Sequence, residues 1–282
     1  MRRRWMRRAR HVKFFEERYL RVHGKRPDLT NPKKFTEKLL CKMIYLDRVN
    51  NPKIFTRLAD KYSVRNYVQQ KVGEEYLVKL LWHGKNPKSI PFNSLPMEYV
   101  IKTNHGSGQV IAVKGSVNQI NITSRLSGWL TNNYYWADRE NQYFNIKPRI
   151  LIEEYLHSKD ASAPLDYRFW CFNGTPEVIQ VDNHAHDINP FFDTQWNQLD
   201  LSYRKGASRP IIERPVNLEK MISIASQLSA DFDFVRVDLY NLEGKILFGE
   251  LTFTPVSGRL KLQPESWDLK LGEKWELTSE IQ

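Results

Sequence analysis

Acidic and basic side chains recur at even spacing in two short apolar runs near the C-terminal end of the chain. Arg236 and Asp238 are two residues apart in FVRVDLY, and Glu250 and Thr252 are two apart in KILFGELTF. Side chains two apart on a β-strand share a face. If the runs pair as a hairpin, two carboxylates and a guanidinium meet on one polar face, which suits Mg²⁺. The alternative is an exposed strand face with an ordinary Arg–Glu pair.

A lysine followed by a glycine-containing loop forms a second group with possible chemistry. Lys102 ends the apolar run VIK, and Gly106, Ser107 and Gly108 follow in a turn-rich segment. Backbone N–H groups of such a loop can approach phosphates, and a lysine supplies a point charge for them. The segment lacks the Walker A spacing. A plain turn is therefore the alternative interpretation.

Two further motifs invite a metal assignment. Asp231 and Asp233 form the D-x-D of metal-dependent glycosyltransferases, but they stand where a predicted helix meets a predicted strand, which favours a turn. His184 and His186 would share a strand face, yet no histidine spacing is typical of zinc, so a solvated or hydrogen-bonded role is favoured. Arg168 shares a face with Asp166, and we predict that it contacts nucleotide or substrate, against a purely structural ion pair.

Hydrophobic periodicity predicts the elements that must position these groups. An Asn-Gly pair at 173–174, between β-rich runs, is a strong hairpin signal because both positions tolerate positive φ. The order of elements favours an α+β fold with two lobes. The predicted elements are helices over 35–70, with a break at Pro52, and over 218–229, and strands over 99–102, 110–114 and 149–156, with hairpins over 166–182 and 234–253.

Composition excludes several protein classes. The chain has 282 residues, of which 41% are hydrophobic and 12% aromatic, as in a folded globular protein. No run of about 18 apolar residues is present, which argues against a membrane-spanning helix. The only two cysteines, Cys41 and Cys171, are far apart and match no metal-ligand spacing. This usage favours a reducing compartment, and we expect the cytoplasm.

Positive charge is concentrated at the N-terminus. The net charge is +11, and residues 1–20 carry eight basic groups against two glutamates, a net of +6, which leaves +5 for the rest. A nucleic-acid binder would be basic throughout, so we expect no nucleic-acid partner. Among the arginines stand Trp5, Met6, Val12, Phe14 and Phe15, as in a basic amphipathic helix. Such a helix either lies on an anionic membrane surface or is a solvated helix that docks on a partner.

Taken together, the ordered motifs resemble the ATP-grasp superfamily, and most closely its TupA-like ATP-grasp family. The resemblance covers roughly residues 28–272. It rests on FTEKL at 35–39, LADKYSVRNYV at 58–68, VIKTNHGSG at 100–108, DYRFWCFNG at 166–174, and FVRVDLY with FGELTFTP at 234–240 and 248–255.

The resemblance implies a nucleotide site. Lys61 and Lys102 would grip the ATP phosphates from the smaller lobe, and Gly106, Ser107 and Gly108 would form a flexible lid over them.

The same resemblance implies an adenine-binding hinge from Glu153 to Leu156. Backbone groups of Glu154 or Leu156 would read the base edge.

It also implies a metal and transfer site. Asp238 and Glu250 would hold Mg²⁺, Arg236 would stabilise the transferred phosphoryl group, and Gly258 would place a backbone N–H near the acceptor carboxylate. Thr252 departs from the Asn that related ligases carry there. A hydroxyl is a weaker ligand than an amide oxygen, so two-metal occupancy is in doubt.

The implied function is an ATP-dependent carboxylate–amine ligase that works through an acyl-phosphate. Its substrates would be an amino acid and a uronic-acid-containing glycan, in the biosynthesis of a capsule or other cell-envelope polysaccharide. The alternative is a glycosyltransferase or non-catalytic component of the same pathway. We expect the ATP-grasp fold with a basic N-terminal helix at 1–20, a helical region at 21–75, a smaller lobe with the hinge at 76–156, and a larger metal-binding lobe at 157–282. We also expect a cytoplasmic protein, peripheral on the inner face of the membrane if the basic helix is an anchor.

Overall fold

The structure is a computed structural model that describes residues 2–48, 53–158, 164–183 and 185–278, with the backbone alone for residues 2–11 and 48. Pro52 and His184 lie outside the described residues, as do the side chains of Trp5 and Met6.

Helices dominate the N-terminal part of the chain and strands the remainder. The helices are α1 (Arg2–His23), α2 (Phe35–Arg48), α3 (Lys53–Ala59), α4 (Val64–Lys71), α5 (Gln119–Thr131), α6 (Tyr135–Asp138), α7 (Leu218–Ser229) and α8 (Ser266–Glu273). The strands are β1 (Leu80–Gly84), β2 (Glu98–Thr103), β3 (Val110–Lys114), β4 (Ile150–Glu154), β5 (Asp166–Phe172), β6 (Thr175–Asp182), β7 (Phe191–Phe192), β8 (Gln198–Leu199), β9 (Phe234–Leu242) and β10 (Lys245–Thr252).

The strands form two antiparallel sheets. The smaller has four strands in the order β1-β4-β2-β3, and the larger has six in the order β10-β9-β5-β6-β7-β8. Each sheet has its own apolar core, with α5 packed on the smaller and α7 on the larger. This is the α+β architecture with two lobes that the order of elements predicts.

Both predicted hairpins are present, and local turn chemistry explains them. Asn173 and Gly174 have φ values of 47° and 79°, as a two-residue turn with a primed geometry requires. In the second hairpin the turn residues are Glu243 and Gly244, with φ values of 54° and 94°. Leu242 belongs to β9 and pairs with Lys245, so the connection is one residue shorter than expected.

The helical region predicted over residues 35–70 is three helices. Asp60 ends α3, because its carboxylate accepts hydrogen bonds from the backbone N–H of Tyr62 (2.9 Å) and the hydroxyl of Ser63 (2.9 Å). Such local bonds offer the backbone an alternative to the helix. The strand predicted over 149–156 is also shorter than expected and ends at Glu154.

The helices of residues 21–75 pack on the two faces of the larger sheet. Phe35 of α2 lies 5.4 Å from Trp170 and 5.0 Å from Phe234 between ring centroids, while Tyr67 and Val68 of α4 join the core on the opposite face. These helices therefore support the wall of the cavity described below.

The basic helix α1 is partly built into the core. Phe15 is 1% exposed and Tyr19 2%, and both pack against α2 residues that include Met43. The sequence analysis placed Phe15 on the exposed apolar face of an amphipathic helix. That placement is wrong, because its side chain is buried against α2. Phe14 is only partly buried.

Within the described residues, we find no helix whose length and apolar character would let it cross a bilayer.

Candidate active site

A cavity of about 350 Å³ opens between the two sheets, a size within the range of small-ligand sites. Its lining comes from β2, β3 and β4 on one side and from β5, β9 and β10 on the other. Eleven of the fourteen residues assigned from the sequence line it: Lys61, Lys102, Gly106, Ser107, Gly108, Glu153, Glu154, Leu156, Arg168, Asp238 and Glu250. Arg236, Thr252 and Gly258 are not part of the lining.

Strand register brings the acidic groups of the larger sheet together. Glu250 on β10 lies opposite Asp238 on β9, and Asp238 lies opposite Arg168 on β5. The ladder is irregular between Phe248 and Glu250, where a Cβ on Gly249 would lie 3.0 Å from the carbonyl oxygen of Asp238. Glycine therefore allows the close approach of β10 to β9 beside the two carboxylates.

Arg236 and Thr252 support the two carboxylates within this hairpin. Arg236 donates from Nε to Oδ1 of Asp238 (2.7 Å) and from Nη2 to Oδ2 (2.5 Å), and Nη2 also reaches the hydroxyl of Thr252 (3.1 Å). The same hydroxyl donates to Oε1 of Glu250 (3.1 Å). One guanidinium and one hydroxyl thus fix the orientation of both acids.

Their surroundings shift the pKa values of Asp238 and Glu250 in opposite directions. Burial raises the pKa of Asp238 to about 6, although Arg236 and Arg168 oppose that shift. Burial acts the same way on Glu250, but Lys61 and Arg236 outweigh it and lower the pKa of Glu250 to about 2. At neutral pH both side chains are therefore carboxylates.

The donor set around the hairpin fits Mg²⁺. Among the described residues, no three His, Cys, Asp or Glu side chains are grouped to enclose a metal ion. Two carboxylates on adjacent strands at a cavity wall match the usual Mg²⁺ arrangement, in which one or two carboxylates are completed by phosphate oxygens and water.

Two lysines reach the cavity from different elements. Nζ of Lys61 lies 3.2 Å from Oε2 of Glu250 and 3.2 Å from the carbonyl oxygen of Gly106. Nζ of Lys102 lies 2.6 Å from Oε2 of Glu153. Both ammonium groups are mostly buried, so each adds positive charge to an interior that also contains carboxylates.

The glycine-containing loop has a fixed stem. Asn104 donates to Oδ1 of Asp60 (2.8 Å) and accepts from the backbone N–H of Arg149 (2.7 Å). The ring of His105 lies 3.1 Å from the carbonyl oxygen of Asn132. Beyond this stem Gly108 has a φ of 72°. Gly106, Ser107 and Gly108 line the cavity beyond this hydrogen-bonded stem.

Comparison with known proteins decides the family. The family model described as TupA-like ATPgrasp matches residues 37–276. The chain belongs to the TupA-like ATP-grasp family. Its two-lobed α+β architecture is therefore the ATP-grasp fold. No curated protein in the comparison matches the chain.

Solved structures similar to this chain are ligases. D-alanine–D-alanine ligase from Bacillus anthracis, complexed with ATP, has a TM-score of 0.42 and 15% identity over 70% of this chain and 54% of that one. The L-amino acid ligase from Bacillus licheniformis has a TM-score of 0.48 and 11% identity over 88% of this chain and 55% of that one. The matched region is just over half of each ligase.

In this TupA-like protein Arg168 is held by several acids at once. It forms ion pairs with Asp182 and with Asp166 (3.0 Å), and its Nε lies 3.7 Å from Oδ2 of Asp238 without a hydrogen bond of its own. Arg168 therefore lines the cavity and anchors an ion-pair network, while its contact with nucleotide or substrate stays a prediction.

The hinge segment uses some of its backbone groups internally. The N–H of Glu154 donates to the carbonyl oxygen of Lys79 (3.0 Å), while Tyr155 and Leu156 line the cavity beyond it. Asp166, His186 and Tyr240 also line the cavity, although the sequence analysis placed none of them in the active site. His186 is hydrogen-bonded, with Nδ1 3.0 Å from Oδ1 of Asp182. Pairing of β5 with β9 brings Asp166 beside Tyr240, a contact across 74 residues that local patterns do not reveal.

Gly258 ends a turn of unusual backbone conformation. Val256, Ser257 and Gly258 have φ values of 50°, 52° and 73°, a left-handed run that is costly for a β-branched residue. The buried carboxylate of Glu140 accepts hydrogen bonds from Ser257 (3.0 Å) and from Thr254 (2.5 Å). Burial raises the pKa of Glu140 to about 7. No motif or spacing in the sequence indicates this carboxylate.

The D-x-D motif is engaged elsewhere. Asp231 pairs with Lys71 (2.8 Å), and Asp233 pairs with the fully buried Lys42 (2.5 Å). Neither aspartate lines the cavity.

Proposed function

We propose that this protein is an ATP-dependent carboxylate–amine ligase whose reaction takes place in the cavity between the two sheets. The proposal rests on one observation in this member of an ATP-grasp family: a lysine and a glycine loop on one sheet face two carboxylates on the other sheet across the cavity. Lys102 and the glycine loop lie on the smaller sheet, and Asp238 and Glu250 lie on the larger. This arrangement supports a triphosphate bound between them.

The nucleotide would be gripped at both ends. Lys61 and Lys102 neutralise phosphate oxygens, and N–H groups of Gly106, Ser107 and Gly108 cover them. Since the N–H of Glu154 is already bonded, we assign the base edge to Leu156 and the Glu154 carbonyl.

Asp238 and Glu250 would hold Mg²⁺, which supplies charge neutralisation for the phosphate oxygens when bound. Arg236 keeps both carboxylates oriented, and Arg168 adds positive charge at the same wall. A fixed arrangement of this kind lowers the barrier because no reorganisation is needed during the reaction.

The chemistry proceeds in two displacements. An oxygen of the substrate carboxylate attacks the γ-phosphorus, the bond to the β–γ bridging oxygen breaks, and ADP leaves with that electron pair. The amine of the second substrate then attacks the carbonyl carbon of the acyl-phosphate. Phosphate leaves, the amine loses a proton, and an amide remains. We assign the carboxylate to a uronic-acid-containing glycan and the amine to an amino acid.

ADP release in the presence of paired substrates tests this function. Wild-type protein with ATP, Mg²⁺, oligogalacturonate and a mixture of amino acids should release ADP only when both substrates are present. Hydroxylamine should replace the amine and yield a hydroxamate, which reports the acyl-phosphate. ADP release that needs no carboxylate, or absence of hydroxamate, would contradict the proposal.

A further inference from the structure

Two large aromatic side chains are exposed next to each other on the segment that follows α5. Trp136 is 60% exposed and Phe144 41%, and their ring centroids lie 6.3 Å apart. Tyr135 is buried beneath them, with ring centroids 5.0 Å and 4.9 Å from theirs. Exposed aromatics are usually scattered singly, so a pair held on a buried third ring indicates a binding surface. We call Trp136 and Phe144 the aromatic edge.

Guanidinium groups flank the aromatic edge. Arg139 lies over the ring of Trp136 at 4.8 Å and over that of Phe14 on α1 at 5.8 Å. Arg259, whose side chain is 43% exposed, pairs with Asp138 at the end of α6. The edge therefore combines flat apolar faces with planar cations, and it is continuous with α1.

The aromatic edge adjoins the candidate active site. The ring of the preceding Tyr134 lies against the glycine loop, where a Cβ added to Gly106 would lie 3.4 Å from it. Its ring lies 5.0 Å from that of Tyr143. The adjacent Gln142 donates from Nε2 to the hydroxyl of Thr254 (2.7 Å), two residues after β10 ends. A ligand on this edge therefore lies near the glycine loop and near the turn that follows β10.

Helix α1 continues from Phe14 toward the N-terminus of the chain. Residues 2–13 continue the helix by about 18 Å beyond Phe14. Six of the first ten residues of the chain are arginines. Six basic residues along this length of helix suit a polyanion better than a single charged group.

We propose that the aromatic edge, Arg139, Arg259 and the basic start of α1 form a track that binds an acidic sugar polymer. Aromatic faces stack on the C–H face of a sugar ring through their negative quadrupole, and guanidinium groups bind carboxylates in a bidentate manner. The assignment rests on the proposed function, for which it names the surface that holds the acceptor. Aromatics with arginines also suit a lipid surface, but the position near the glycine loop and the turn after β10 favours a ligand that enters the reaction.

Binding of a galacturonate oligomer, measured by calorimetry at low salt, tests the track. The variant Trp136→Ala/Phe144→Ala should bind the oligomer at least about tenfold more weakly and keep its affinity for ATP with Mg²⁺. The matched control Ile211→Ala/Val216→Ala removes two side chains that are each 90% exposed elsewhere, and it should bind like wild type. A neutral maltodextrin of equal length should bind less tightly than the galacturonate.

A second pair of variants isolates the charge. Arg259→Gln should weaken oligomer binding, while Arg214→Gln, which alters an ion-paired arginine of the same 43% exposure, should not. This pair keeps the test decisive if the double aromatic variant fails to fold.

Three outcomes would overturn the track. The first is that both Trp136→Ala/Phe144→Ala and Arg259→Gln bind the galacturonate oligomer as tightly as wild type does. The second is that maltodextrin binds as tightly as the galacturonate oligomer. The third is that these residues bind phosphatidylglycerol vesicles and do not bind the oligomer. Oligomer binding that depends on Trp136 in a protein that binds no ATP would support the track and contradict the proposed ligase.

Discussion

At the scale of single residues, Asp238 and Glu250 are assigned to metal binding and Lys102 to nucleotide binding. Lys102 already has an anionic partner, Glu153, at 2.6 Å. Binding of a triphosphate would therefore place additional negative charge beside a cation that is fixed in the cavity wall. This geometry makes Lys102 the side chain whose removal reports most simply on nucleotide binding.

We predict that Lys102→Ala weakens ATP binding by about 2 kcal/mol, because a charge-assisted contact to phosphate is lost. Lys71→Ala is the matched control, since Lys71 pairs with Asp231 at 2.8 Å away from the cavity and should leave ATP affinity unchanged. Calorimetric titration with ATP and Mg²⁺ measures both. Equal affinities for the two folded variants would remove Lys102 from the nucleotide site.

Glu140 should make stability depend on pH. Its pKa is about 7 in the fold against an ordinary 4.5, so the folded state favours the protonated form. Wild type therefore loses stability as pH rises from about 5 through 7, whereas Glu140→Gln stays neutral. The two proteins should be similar at pH 5, and Glu140→Gln should be more stable by up to about 3 kcal/mol at pH 8. Urea unfolding at both pH values measures the difference, and a constant difference would contradict the prediction.

Residue patterns predicted part of this site. The two-residue spacing in FVRVDLY and KILFGELTF placed Arg236 with Asp238 and Glu250 with Thr252, as the hydrogen bonds between them show. The position of Arg168 beside Asp238 depends on the pairing of β5 with β9, and Glu140 meets Ser257 across more than a hundred residues. Contacts of this kind arise from tertiary packing, for which a local sequence pattern has no signal.

At the scale of elements, the hairpin β9–β10 is the part that should be least tolerant of change. Asp238→Asn and Glu250→Gln should each abolish ADP formation at ordinary Mg²⁺ concentrations, because an amide is a poorer ligand than a carboxylate. Thr252→Asn, which restores the residue of related ligases, should retain activity. ADP release and circular dichroism measure these outcomes, and wild-type turnover in either acid variant would make the hairpin face structural.

Helix α1 should contribute to stability through its second half. Phe15 is 1% exposed, so Phe15→Ala should lower the free energy of unfolding by about 3 to 5 kcal/mol. Lys13→Ala, with a side chain that is 74% exposed, should change it by less than about 0.5 kcal/mol. Chemical denaturation measures the free energy of unfolding of both variants. If Phe15→Ala were as stable as wild type, α1 would not be part of the core and the surface-helix interpretation would stand.

Elements with strong local signals were predictable, and those set by packing were not. The Asn173-Gly174 turn and helix α7 lie where turn chemistry and periodicity predict them. By contrast, β1 and the two-residue strands β7 and β8 exist because a neighbouring strand pairs with them. The apolar spacing of α1 suggested a surface helix because the sequence does not reveal that α2 covers Phe15.

At the scale of the whole molecule, two separately packed sheets face each other across one cavity. Lys102 and the glycine loop on the smaller sheet meet Asp238 and Glu250 on the larger sheet there, and neither lobe contains the full set. The division into lobes was predictable from the order of strands and helices. The packing of the N-terminal helices on the larger lobe was not predictable. An amphipathic helix has the same apolar pattern whichever sheet it covers.

The most direct test is calorimetric titration of the wild-type protein with ATP and with UDP, each with Mg²⁺. We predict that ATP binds at one site per chain and that UDP does not compete with it, because Asp231 and Asp233 lie outside the cavity in their own ion pairs. Binding of UDP in place of ATP would contradict the ligase and favour a glycosyltransferase.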